Sequence, residues 1–236
     1  MRRPLIALLT ISALWASAAQ ANERLPVTHI QFSATGERVA TVVSGERDGS
    51  GFGYAALNVL STGSGQTLAT RMKTGEDQSA PQVRQALLNE AATQTLLRGA
   101  GLTLGKASVP RYTRAYATPY PRWQDGLRPG ASQVTPVKLW SRAVPVSLKV
   151  VPLRAQSCAY PDFIFPGERP AGFELRINGQ LIYQDTLSSP GRNCAVRYSL
   201  ERVDVQGNRV LVTLRAYSMG FEGPDAVAVF VAATLK

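Results

Sequence analysis

Cys158 and Cys194 are the only cysteines in this chain, and short alternating runs lie between them. Phe173-Glu174-Leu175-Arg176-Ile177 alternates apolar and polar residues, and Asn178-Gly179 divides it from a second short run, Gln180 to Tyr183. Period-two alternation marks a strand buried on one face. Asn-Gly between two such runs is the strongest short-range hairpin signal. A bond closing the 37 residues from 158 to 194 inclusive would clamp a β scaffold, joining the Phe173 hairpin region to a strand beginning near Val196. The segment carries no nucleophile with a base, so it reads as architecture.

Whether that bond forms depends on the compartment, and the N-terminus bears on it. Arg2 and Arg3 precede an apolar run from Leu5 to Ala18, then Ala19-Gln20-Ala21. This is the layout of a secretory signal peptide cleaved before Asn22. The run is shorter than the roughly 20 apolar residues a membrane span needs. No cysteine follows it for lipid attachment, and no later stretch is apolar enough to span. The mature protein is expected in the periplasm or secreted, where an even cysteine pair forms a bridge. A redox motif would set the cysteines two residues apart, and a zinc site needs more ligands than His29, the sole histidine, can add. No metal or cofactor is expected.

Taken in order, the chain predicts a mainly β (α+β) protein. Residues 22–105 read as a β-meander followed by one amphipathic helix. Val27 to Phe32 alternates, and Arg38 to Val43, Tyr54 to Leu60 and Thr67 to Met72 read as further strands between Gly-rich turns. The opening is similar to one β-propeller blade, but no second Phe-Ser-x-x-Gly recurs at blade spacing. From Pro81 to Arg98 the apolar positions recur at three and four residues, with Ser79 as N-cap and Gly99 as stop. Residues 146–236 hold six short alternating runs, expected as an antiparallel β-sandwich clamped by the disulfide. Residues 106–145 lie between as a basic connection rich in proline and aromatics.

The charge is concentrated in that connection. The chain has 26 basic and 16 acidic residues, a formal charge of +10. Between Lys106 and Arg154 stand nine basic residues and a single acid, Asp125, so this stretch carries the whole surplus of the mature chain. Arg111, Arg114, Tyr116, Tyr120, Arg122 and Trp123 interleave cations with rings among prolines. Such a set suits phosphate or carboxylate groups, with rings packed on sugar or lipid. The expected partner is an anionic envelope polymer or lipid head group; nucleic acid fits the charge but not an exported protein. The alternative is a solvated connection whose arginines lie over the sheet.

Catalytic patterns are sparse. His29 sits in an alternating run with no Gly-x-Ser-x-Gly elbow to serve. Glu174, Asp185, Glu222 and Asp225 are the carboxylates that paired acid–base chemistry would draw on. Glu222 reads equally as a turn acceptor between Gly220 and Gly223, and Glu174 as an exposed strand position or the partner of an arginine. Asp48-Gly49-Ser50-Gly51 lacks both the following oxygen ligands of a calcium loop and a phosphate-loop lysine. The leading expectation is a non-enzymatic exported protein that binds an anionic envelope component. A carbohydrate-active hydrolase using paired carboxylates and a protein-interaction module are the alternatives.

The chain also resembles the bacterial family of predicted secreted proteins known as domain of unknown function 2259. The resemblance rests on Phe32-Ser33 with Gly36, Asp48-Gly49-Ser50-Gly51-Phe52 with Tyr54, Cys158, Gly172-Phe173-Glu174-Leu175, Asp185, Pro190 with Arg192 and Cys194, Tyr198, and Gly220-Phe221-Glu222-Gly223. Ala34-Thr35 and Gly53 depart from the family's turn residues. The resemblance implies export and a shared fold, and it brings no activity and no catalytic residues.

Overall fold

The computed structural model describes residues 22–153, 158, 164, 167–185 and 194–236. The leader expected over 1–21, Arg154, Pro190 and Arg192 lie outside them. Twelve strands among the described residues form three four-stranded antiparallel sheets, and two helices cover the first. Sheet A is a meander of β1 (Val27–Phe32), β2 (Arg38–Glu46), β3 (Gly53–Ser61) and β4 (Thr67–Gly75) in chain order. Sheet C is likewise β6 (Ser132–Lys138), β7 (Ala143–Pro152), β8 (Ala171–Ile177) and β9 (Gln180–Gln184). Sheet B combines β5 (Tyr112–Thr113) with β10 (Arg197–Gln206), β11 (Arg209–Met219) and β12 (Pro224–Thr234), in the order β12-β11-β10-β5. Residues 106–145 thus contribute β5 to one sheet and β6 to another.

Burial alternation stacks these elements as helices, sheet A, sheet B, sheet C. In sheet A, Ala40, Val42, Ala55, Leu57 and Val59 face the helices around Val83, Leu87 and Leu97. Their alternates, with Ile30, Phe32, Val39 and Leu60, meet Leu211 and Ala232 of sheet B. The largest core lies between B and C, where Leu148, Phe173 and Leu175 pack on Tyr198, Val212 and Leu214. Sheet B is therefore covered on both faces, and β11 is buried from Val210 to Ser218. The expected sandwich is B on C, and the expected meander is a third sheet stacked on B.

The expected hairpin turn forms at Asn178 and Gly179, whose φ of 50° and 81° are both left-handed, as a two-residue turn between twisted strands demands. The Cys158–Cys194 bridge is made. It ties the chain leaving β7 to the chain entering β10, beside Ala195, whose carbonyl accepts from Ala171 N–H at 2.8 Å. The expected helix is divided into α1 (Ala80–Asn89) and α2 (Ala91–Gly99). Glu90 separates them in an extended conformation (φ −61°, ψ 132°). Its carboxylate takes Lys73 Nζ of β4 at 2.7 Å, and its carbonyl accepts the Gln94 N–H at 2.9 Å as the cap of α2. Gln94 in turn donates its side-chain amide to the Leu88 carbonyl at 2.6 Å, satisfying the end of α1.

Candidate functional site

The face of sheet B turned toward sheet A changes character along its length. One end is apolar and packs on sheet A. The other carries Arg197, Ser199, Glu201, Arg215 and Tyr217. The stretch from Tyr112 to Asp125 crosses this polar end as a strap, anchored where β5 pairs with Arg202 and Val203.

The strap places the six sequence-predicted residues in three different environments. Tyr116 turns inward: Ser199 Oγ lies 3.4 Å from its hydroxyl and 3.0 Å from that of Tyr217. Burial pushes the phenol of Tyr116 far above its ordinary range, and that of Tyr217 upward for the same reason. The guanidinium of Arg24 covers the Tyr116 ring at 3.6 Å, with Arg114 at 5.3 Å. Arg122 is spent on Asp125, through its backbone N–H at 3.0 Å and its guanidinium at 3.5 Å. The Trp123 carbonyl accepts from Arg197 at 3.0 Å, and its ring lies 5.4 Å beneath that guanidinium. Tyr120 and Arg111 remain on the surface, in separate grooves. The six residues do not converge on one ligand site.

Arg111 instead lines a groove of about 340 Å³ with Lys106, Ser108, Gln31 and Gln206, and no carboxylate lines it. Both amides are committed: Gln31 accepts from Leu104 N–H at 2.6 Å, and Gln206 donates to the Ser33 carbonyl at 2.9 Å. Lys106 and Arg111 have no ion-pair partner among the described residues. The lysine was visible in the charge count, but its pairing with Arg111 depends on the path of the strap between β1 and β10, where Ser108 N–H donates to the Ile30 carbonyl at 2.7 Å.

A larger cleft of about 520 Å³ opens where sheet A splays away from β12. Glu23 and Asp225 stand at one end, joined by a 2.9 Å hydrogen bond from Glu23 N–H to Asp225 Oδ1. Desolvation raises the pKa of both carboxyls; repulsion from Asp225 adds to the rise at Glu23, and repulsion from Asp48 adds to it at both. Arg47 opposes this, 3.5 Å from Glu23 and 4.1 Å from the Tyr54 ring centroid. Asp225 was a sequence candidate; Glu23 was not, because it stands in a short stretch without a readable pattern.

The remaining candidates have structural duties. Asp185 accepts from Phe173 N–H at 3.0 Å and Tyr183 Oη at 2.9 Å, holding β8 beside the end of β9. Glu174 pairs with Arg176 at 2.6 Å. Glu222 borders a shallow groove near Asp48 and Tyr120, which Glu174 does not line. The half-buried His29 has its imidazole pKa lowered by desolvation and by repulsion from Arg84 and Arg202. The Asp48–Gly51 stretch is the β2–β3 connection, closed by Gly51 N–H to the Arg47 carbonyl at 2.8 Å. No group of three or more His, Cys, Asp or Glu among the described residues is placed to hold a metal ion. No helix among them is long and apolar enough to cross a membrane.

In comparisons with known proteins, a family model described as "Predicted secreted protein (DUF2259)" matches residues 17–234. No curated protein and no solved structure matches the chain.

Proposed function

The chain belongs to this family of predicted secreted proteins, and on that premise we propose that it is a non-enzymatic binding protein of the periplasm, its leader removed after Ala21, that holds an anionic envelope component. The observation that carries the proposal is the Lys106–Arg111 groove, which gathers two unpaired cations without a lining carboxylate. Arg128, Lys138, Arg142 and Lys149 extend the same excess over exposed surface. None of these has an ion-pair partner among the described residues, so their charge is available to a ligand. Arg122, by contrast, is already neutralised by Asp125. The shared chemistry is a phosphate or carboxylate group, carried by a lipid head or by a polymer.

The test is co-sedimentation of the mature protein with phosphatidylglycerol vesicles in one arm and an insoluble anionic wall polysaccharide in the other, with phosphatidylcholine vesicles as control. Each cation brought to an anionic surface contributes about 1 kcal/mol. Lys106→Gln and Arg111→Gln should therefore each weaken binding about fivefold, and raising salt should weaken it further. Arg122→Gln should leave binding unchanged. Retention that is insensitive to salt and to both groove variants overturns the proposal.

A further inference from the structure

The 520 Å³ cleft is lined by every residue of β12 from Asp225 to Val231. A strand that faced the cleft with one surface would contribute alternate residues only, so β12 presents its edge as well. It is an edge strand, paired to β11 in unbroken register from Pro224 to Thr234. Tyr217 turns its carbonyl to Val196 N–H of the opposite neighbour, which leaves Ala226, across from Tyr217, with its backbone groups directed outward. The parity extends to Ala228 and Phe230. Ala226 is satisfied: its N–H donates to the Glu23 carbonyl at 2.7 Å, and its carbonyl accepts from Arg215 at 3.1 Å. The N–H and C=O groups of Ala228 and Phe230 have no partner among the described residues. Glu23 thus makes the first bond of an added strand that the chain does not continue.

We infer that this edge receives an extended, uncharged polypeptide segment of about five residues, bound by strand addition to Ala228 and Phe230. Backbone donors and acceptors in a row call for a second backbone, and their number sets the length. The position is recessed, with Thr67 and Thr70 of β4 on one side and Tyr183 of β9 on the other. Gly65, whose added Cβ would lie 3.1 Å from the Ala232 carbonyl, closes the far end. A second copy of the protein carries its own β12 in the same recess, so two such edges cannot meet, whereas a slender segment can enter. The formal charges on the lining balance, Glu23 and Asp225 against Arg47 and Arg215. All four stand toward the Glu23 end of the cleft, and the rest of the wall includes Asn58, Thr67, Thr70, Tyr183 and apolar side chains. This lining suits alternating small polar and apolar side chains and gives a charged one no counter-ion.

The probe is the capped pentapeptide Thr-Val-Thr-Val-Thr, titrated into the full mature protein while amide exchange at Ala228 and Phe230 is followed. Binding should slow exchange at both amides and be insensitive to salt, which separates this outcome from that of the cationic groove. An analogue N-methylated at alternate residues should not bind. Ala228→Pro removes a donor that points away from β11 and should weaken binding about tenfold, the worth of one or two hydrogen bonds. Thr67→Trp, at an exposed position, should block entry with the fold intact. Unchanged exchange with excess peptide, equal affinity for Ala228→Pro, or self-association through this edge would each overturn the inference.

Discussion

Asp125 is the only acid between Lys106 and Arg154, and its carboxylate is the point on which the strap turns. Arg24 reaches it at 2.8 Å with both side chains almost wholly buried. Removing one partner of such a pair leaves an uncompensated charge, so Asp125→Ala should cost about 3–5 kcal/mol, measured by urea denaturation. Two other groups make stability depend on pH in opposite senses. Glu23 and Asp225 hold protons more tightly in the fold than in the unfolded chain. Their contribution is therefore full at low pH and declines as pH rises from the ordinary 4.5 and 3.8 toward the raised values. Glu23→Gln should flatten that limb of a stability–pH curve. His29 acts the other way: the fold keeps it neutral, so stability is lost as pH falls below the ordinary 6.5, and His29→Gln should remove that slope. The sequence made Asp125 conspicuous by its isolation. It could not reveal Arg24, because an ion pair spanning 101 residues leaves no local pattern.

At the level of elements, the legible parts are those whose cause is local. Asn178-Gly179 dictated its own turn, and the meander of sheet A followed from alternation between glycines. The division of the helix at Glu90 was hidden because glutamate is a good helix former and the apolar spacing runs through it; at the break the Glu90 carboxylate reaches Lys73 on a neighbouring strand, a contact the sequence does not show. Strand β10 shows a related effect. A bulge between Leu200 and Arg202 places two successive residues, Glu201 and Arg202, on the polar face. Tyr198 and Leu200 before it, and Val203 after it, all face sheet C, so a strict alternation would assign one half wrongly. Gly53 opens β3 beneath the start of α1, where an added Cβ would strike the Gln78 carbonyl and come within 2.8 Å of Val83 Cγ2. Backbone cannot yield as a flexible side chain does. Gly53→Ala should therefore destabilise by about 1–3 kcal/mol through overpacking, read as a lowered Tm.

The whole molecule depends on a central sheet shared by two cores. The B–C core was legible as a sandwich, since β7 and the latter part of β8 in sheet C alternate buried with less buried positions. The stacking of sheet A on the far face of B was not, because strands covered on both sides read as continuous apolar runs. The disulfide fastens B to C at one end. By the chain-entropy model its 37-residue loop contributes about 3–4 kcal/mol, so Cys158→Ser should lower the unfolding free energy by that amount, read as a lower denaturation midpoint. Reducing agent should do the same to the native protein and nothing further to the variant.

The strands that complete sheet B, β10 to β12, are also the last to be made. A chain synthesised from its N-terminus finishes sheet A and its helices more than a hundred residues before Leu211 and Ala232 arrive to cover Ile30, Phe32, Val39 and Leu60. For that interval the nascent chain carries an apolar sheet face with no partner, the kind of surface on which incomplete proteins aggregate. The exposure is built into the order of the elements and ends only when β11 and β12 close over it.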